Sequence, residues 1–441
     1  MLIYLSENGM RKDKISSVII WSVISAAFIG PGTVTTAVTA GSLYQLDLLW
    51  TVVFATVACI LLQEVSARIT IASGLSLGEA VVKKFGSQKG FWINVTIGVA
   101  VIIGCAAYEA GNILGGVSGL SLLFEVDLPA GQAGGRIYTI LITSVAAFVL
   151  WSGKQKWIST LMTILVAMMG IAFLVLALHI DFSFSEIMIS SVAPKIPIGA
   201  ELITLGLIGT TIVPYNLFLG SGISKGQTVP LMRIGLTVSV VIGGLITAWI
   251  LLAGTLVHDF SSFPILADEF RNKVGEAGAW ALGIGLFAAG FSSAITSPYA
   301  ASVIAANVLG AEKKKFIRLA WGVVLLIGFL FGISGVKPIP IILVVQALNG
   351  LILPLVTAYL IIIVNDGRLI PKEHRHAGYY NLVLLLIFAC VLLIGLTSID
   401  KSVSAFAGWK ESHFTVIAVI TSGVTLMLGW NVFRSEKRKN S

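Results

Sequence analysis

Long apolar runs separated by short polar stretches set the rhythm of this chain. The runs recur roughly every 25 to 45 residues, and each is long enough to cross a hydrocarbon core of about 30 Å. The pattern predicts membrane-spanning helices at 15–44, 48–73, 91–121, 137–151, 157–179, 199–223, 231–257, 278–309, 316–334, 339–365, 379–397 and 413–433. Two runs carry helix breakers near their middle. Gly30-Pro31-Gly32 interrupts the first, and Val213-Pro214 interrupts the sixth. Proline lacks an amide proton and clashes with the preceding turn, while glycine makes unwound backbone sterically cheap. Irregular backbone at membrane depth persists only where protein or a cavity surrounds it, so two matched breaks point to a transporter's substrate site.

Composition agrees with the pattern. The 441 residues are 56% hydrophobic and 11% charged, with a mean hydropathy of +0.96. The chain therefore reads as an all-α polytopic membrane protein of about twelve transmembrane helices. Its net charge of +8 is divided among short loops, which suits membrane topology and excludes nucleic acid as the expected partner. With both termini placed in the cytoplasm, only Arg136, Lys195, Arg271, Lys273, Lys337, Lys401 and Lys410 of the 29 Lys and Arg fall outside. This bias supports a multi-pass protein of the cell (inner) membrane. The basic N-terminus precedes an apolar run too long for a signal peptide, so it reads as a retained first helix. Cys59, Cys105 and Cys390 lie inside spans at no metal-ligand spacing. No cofactor is expected, and no nucleophile–base pair or nucleotide loop suggests an enzyme.

Residues 1–441 read as one transporter domain. The polar connections 122–136, 181–196 and 258–277 read as solvated connectors, the last with a short surface helix around 265–272. Spans one to five and six to ten each begin with an interrupted helix. This predicts two repeats, 15–179 and 199–365, of inverted topology because five is odd, with two further helices at 379–433.

Several stretches resemble one family. The first break with Ala40-Gly41, then Leu48-Leu49-Trp50 and Gln63-Glu64-Val65-Ser66-Ala67-Arg68, is similar to the opening of the Nramp (natural resistance-associated macrophage protein) family of proton-coupled divalent-metal transporters. Val213 to Ser221, Leu286 to Thr296, and Gln346 with Leu353-Pro354 continue the likeness in order. The resemblance implies a leucine-transporter-like 5+5 inverted repeat with discontinuous first and sixth helices. It also implies proton coupling and a metal-ion cargo.

The departures from that family fall at its ion site. Where metal-carrying members have Asp-Pro-Gly-Asn and Met-Pro-His, this chain has Gly30 and Thr33, then Val213 and Tyr215; a later family His corresponds to Gly220. The soft thioether that helps select transition metals is missing, and so is the carboxylate facing the ion. Hydroxyl, amide and backbone groups remain. Gly30, Thr33, Val213, Tyr215, Asn216 and Gln346 are the candidate substrate-binding positions, and the carbonyls of Phe28, Ile29, Ile212 and Val213 are candidate cation ligands. Helix-end dipoles alone do not choose the sign of the cargo. For any one threonine, close helix packing is an equal reading.

Glu109 is the sharpest single residue, because a charge at mid-membrane costs at least about 2.5 to 3.5 kcal/mol. It shares a helical face with Tyr108 and Asn112. The resemblance makes it a proton carrier; it could instead supply the site's negative charge, or sit neutral beside a hydroxyl. Glu64 and Arg68 stand four apart in the order that favours an intrahelical pair. His374 and His376 read as a chance cluster in an inner loop.

The resulting expectation is a secondary transporter that nominally symports protons and a metal cation, with a site that disfavours manganese and iron and suits magnesium better. A transporter of a small neutral or anionic solute is the first alternative. A non-transporting sensor or partner-binding membrane protein is the second.

Overall fold

The computed structural model describes residues 2–124, 133–258, 260–310, 312–336, 352–407 and 413–440. Within these the chain is helical, and the expected spans are met except the tenth, which is described only in part. The first is α1 (Leu2–Phe28) followed by α2 (Pro31–Tyr44), bent by 63° at the break between them. Pro31 occupies the first position of α2, where its missing amide costs nothing. Gly30 before it is extended, at φ −103° and ψ 179°. α3 (Leu49–Ser73), α5 (Ser87–Leu123), α6 (Ala133–Ser152) and α7 (Gln155–Ala177) complete the first five spans.

The sixth span is α9 (Glu201–Thr211) and α10 (Pro214–Ile223), again with proline at the first position of the second piece. Here both pieces stay within one 23-residue span, so the second break bends the chain less than the first. α11 (Val229–Gly254), α13 (Glu276–Leu309) and α14 (Lys314–Ile333) follow. Of the tenth span only α15 (Ile352–Val364) is described. α16 (Gly378–Ala407) and α17 (Phe414–Asn440) end the chain.

Three short helices lie between spans. α12 (Phe263–Val274) is the expected surface helix, opened by the Ser262 hydroxyl accepting from the Ile265 amide. α4 (Leu77–Phe85) and α8 (Phe184–Val192) were expected only as connecting polypeptide. Each starts with a capping box, Ser76 with Glu79 and Ser183 with Glu186, which satisfies two otherwise orphaned backbone donors.

Packing places the two breaks in the interior. α5 and α13 meet backbone to backbone: a Cβ on Gly290 would fall against the main chain of Gly116. α1 is tied to α11 by Ser17 donating to the Leu231 carbonyl at 2.7 Å and Ser239 donating to Val18 at 3.0 Å. At the Arg68 end of α3, buried Glu64 accepts from Arg68, from Arg233 at 3.0 Å and from the Tyr380 hydroxyl at 3.2 Å. The expected intrahelical pair is therefore the centre of a network that joins α3, α11 and α16. Removing one partner of such a buried pair is costly because the other charge is stranded.

Candidate functional site

A broken helix leaves carbonyls at the end of its first piece without amide partners. The structure shows where those of α1 go. Ala26 accepts from the Ser292 and Ser293 hydroxyls at 3.3 and 3.4 Å, Ala27 accepts from the Tyr215 hydroxyl at 2.9 Å, and Phe28 accepts from the Thr33 hydroxyl. Three elements thus converge on one helix end: α13, α10 and α2. At the second break Ile212 closes α9 by donating to Ile208 at 3.0 Å, and the Asn216 amide starts α10 by donating to the Val213 carbonyl at 3.1 Å. Among the candidate carbonyls, those of Phe28 and Val213 already accept a hydrogen bond. No hydrogen bond reaches those of Ile29 and Ile212 from the described residues.

Tyr215 joins the two breaks. Its hydroxyl holds the end of α1, while its ring packs edge-on to Tyr108 of α5 with centroids 5.7 Å apart. Its neighbour Asn216 is buried at 1% exposure, and neither side-chain atom has a hydrogen-bond partner among the described residues. The Thr35 hydroxyl is likewise buried and unpartnered among the described residues. Thr210 and Thr211 are different, because both donate back to Leu207 on their own helix. Val213 is buried and brings no polar group.

Gly30 faces α5 and α13. A Cβ built on it would stand 3.0 Å from Ser293 Oγ and 3.5 Å from Asn112 Oδ1. Asn112 in turn donates from Nδ2 to Glu109 Oε2 at a long 3.4 Å, and Glu109 Oε1 has no partner among the described residues. Glu109 is fully buried against α14, where a Cβ on Gly328 would meet its side chain. Asn112 thus borders both the space at Gly30 and the Glu109 carboxyl, and forms a polar link from the first break to Glu109.

α3 and α10 form a second polar seam. Ser66 donates to the Leu217 carbonyl, and the Thr70 and Ser221 hydroxyls lie 2.6 Å apart. Beside them Gln63 fills the space that glycine leaves at position 220, and both of its amide atoms are buried without a partner among the described residues. Gln346, expected in the site, lies outside the described residues. His376 pairs with Asn381 at 2.8 Å, and Arg68 donates to the His374 carbonyl at 2.9 Å, so the two histidines belong to packing around the Glu64–Arg68 network.

Among the described residues no group of three or more His, Cys, Asp or Glu is placed to hold a metal ion. The breaks offer neutral oxygen and nitrogen groups, and Asn112 links the first break to Glu109. Such a set can bind a polar solute or a cation that keeps water; it has no soft donor for a dehydrated transition metal.

Comparison with known proteins is consistent across sequence and structure. A family model described as natural resistance-associated macrophage protein-like matches residues 22–399. The divalent metal cation transporter MntH of Verminephrobacter eiseniae is 27% identical over 356 residues, which cover 77% of this chain and 79% of that protein. MntH of Caldanaerobacter subterraneus is 25% identical over 392 residues, covering 84% and 90%. The crystal structure of an Eremococcus coleocola manganese transporter in complex with an aromatic bis-isothiourea substituted compound superposes with a TM-score of 0.74 at 18% identity, covering 97% of this chain and 95% of that one. That likeness carries the fold.

Proposed function

Because the chain belongs to the natural resistance-associated macrophage protein (Nramp) family, we propose that it is a secondary transporter that works by alternating access around the breaks at Gly30 and Val213. Residues 15–179 and 199–365 act as the inverted repeats that rock against each other, and the distribution of Lys and Arg supports two cytoplasmic termini. The relatives it matches are named as divalent metal transporters, so a metal cation is the nominal cargo. The observation that shapes the reading is the absence, among the described residues, of any acidic, thiol or imidazole cluster at the breaks. A hard ion carried with part of its water shell, magnesium above all, suits neutral oxygen groups; manganese and iron are disfavoured. Protons couple through Glu109, and Asn112 links that carboxyl to the break.

A second cargo has its own support. The carbonyls of Ala26, Ala27 and Phe28 are engaged by protein hydroxyls, whereas the Asn216 side-chain amide has no partner among the described residues. Buried polar groups are normally hydrogen-bonded, so a free amide beside a helix N-terminus favours a small neutral or anionic solute with its own donors and acceptors. Calorimetric titration of the purified protein separates the two. Saturable magnesium binding that weakens about tenfold in Asn216→Leu, a loss of about 1.4 kcal/mol, supports the cation. No magnesium or manganese binding to folded protein overturns it in favour of the solute.

A further inference from the structure

Lys154 lies between α6 and α7 and Lys156 in the first turn of α7, some 160 residues from the run Lys313 to Lys315 at the start of α14. The fold brings these loops together. Trp151 at the end of α6 packs edge-on to Trp321 of α14 with centroids 6.4 Å apart, and the Arg318 guanidinium lies 5.2 Å over the Trp151 ring. One turn away the Lys154 ammonium sits 4.9 Å over the ring of Trp157.

Three features make this more than a topological charge bias. The cations are exposed, and none forms a salt bridge among the described residues; Glu312 is the one acidic side chain in either loop. Two of them are held over tryptophans that are themselves 69% and 56% exposed, and Trp is the residue that settles at headgroup depth. The patch also continues along α14 into Phe316 and Leu319, both exposed apolar residues on a membrane-spanning helix. A ligand that covers all of it has an anionic head for the cations and an acyl chain for the apolar side.

We propose that the α6–α7 connection and the first two turns of α14 form a binding site for an anionic glycerophospholipid. Arg318 and Lys154 contact the phosphate, while Trp151 and Trp157 fix the depth of the headgroup. The proposal is independent of the transported cargo. Because each basic residue near a membrane surface changes affinity about fivefold, losing two should cost about twenty-five-fold.

Native mass spectrometry of the full-length protein, titrated with phosphatidylglycerol or phosphatidylcholine, tests it. The expected result is a saturable first phosphatidylglycerol at least about tenfold tighter than phosphatidylcholine. In Arg318→Gln with Lys154→Gln that preference should disappear, while Lys195→Gln on the opposite loops leaves it intact. Should the double variant fail to fold, Lys154→Gln alone serves, with a loss of about fivefold. Equal affinity for the two lipids, or a preference unchanged in a folded variant, overturns the proposal. Displacement of the lipid by inorganic phosphate also overturns it, since the site would then take a free oxyanion.

Discussion

Restoring the family's ligand types at the breaks is the sharpest perturbation of the site: Gly30→Asp, Thr33→Asn and Val213→Met together. Gly30 is extended, so its backbone accepts a side chain without strain. Space is tighter. The new Cβ would stand 3.0 Å from Ser293 Oγ, which must yield by a few tenths of an ångström, and overpacking of this kind costs about 1–3 kcal/mol. Thr33→Asn gives up the hydroxyl bond to the Phe28 carbonyl, about 1 kcal/mol more. The Asp carboxylate gains a donor in Ser293, and Asn112 can turn its amide to donate as well, since its oxygen lies 3.5 Å from that Cβ. A fold of this size can carry such costs. The variant should bind manganese at least tenfold more tightly than the parent, a net gain of only about 1.4 kcal/mol. Titration calorimetry reads the gain, and the same variant with Gly30→Asn instead of Asp isolates the charge. A folded triple variant with no gain in manganese affinity would refute the convergence of these three positions on one ion site.

Three further outcomes are expected. Glu109→Gln should leave a folded protein whose uptake no longer responds to pH, because the substitution keeps the Asn112 contact and removes the proton; pH-driven uptake that persists would take Glu109 out of the mechanism. Gly220→Ala should destabilise the protein by about 1–3 kcal/mol, because its Cβ would meet the Gln63 amide; adding Gln63→Ala should recover most of the lost melting temperature, and no recovery would show that Gln63 does not fill that space. Asp366 lies beyond the end of α15, where burial would raise its pKa but Arg368 and Lys84, the latter at 2.7 Å, outweigh burial and hold the carboxyl below its ordinary range. A depressed folded-state value gives stability that is fully present above the unfolded pKa of about 3.9 and is lost as pH falls toward the folded one. The melting temperature of Asp366→Asn should therefore lie below that of the parent at neutral pH and approach it in acid.

The spans and both breaks were legible because they rest on local chemistry: apolar length, and proline beside glycine or a β-branched residue. Glu109 was legible as an ionisable group in an apolar run. The partners that define the site were not. Nothing near Ala26 in sequence says that its carbonyl will be met by Ser292 and Ser293, or that Tyr215 will hold Ala27. Serines 292 and 293 close the end of a broken helix that lies more than 260 residues before them. Gln63 gave no signal, since its role depends on the missing side chain at position 220. The helices α4 and α8 did announce themselves through Ser76 with Glu79 and Ser183 with Glu186, a capping signal easily lost in short loops between long spans. The basic patch is the reverse case: charges that look scattered along the chain are gathered by Trp151 and Trp321.

Flux through the two breaks tests the account most directly. Purified protein in liposomes, with a metal-sensitive dye inside and an inward proton gradient, should admit magnesium saturably, admit manganese more slowly, and lose both in Asn216→Leu. Manganese influx that exceeds magnesium and survives Asn216→Leu would contradict a cargo site built from the neutral groups at Gly30, Thr33, Tyr215 and Asn216.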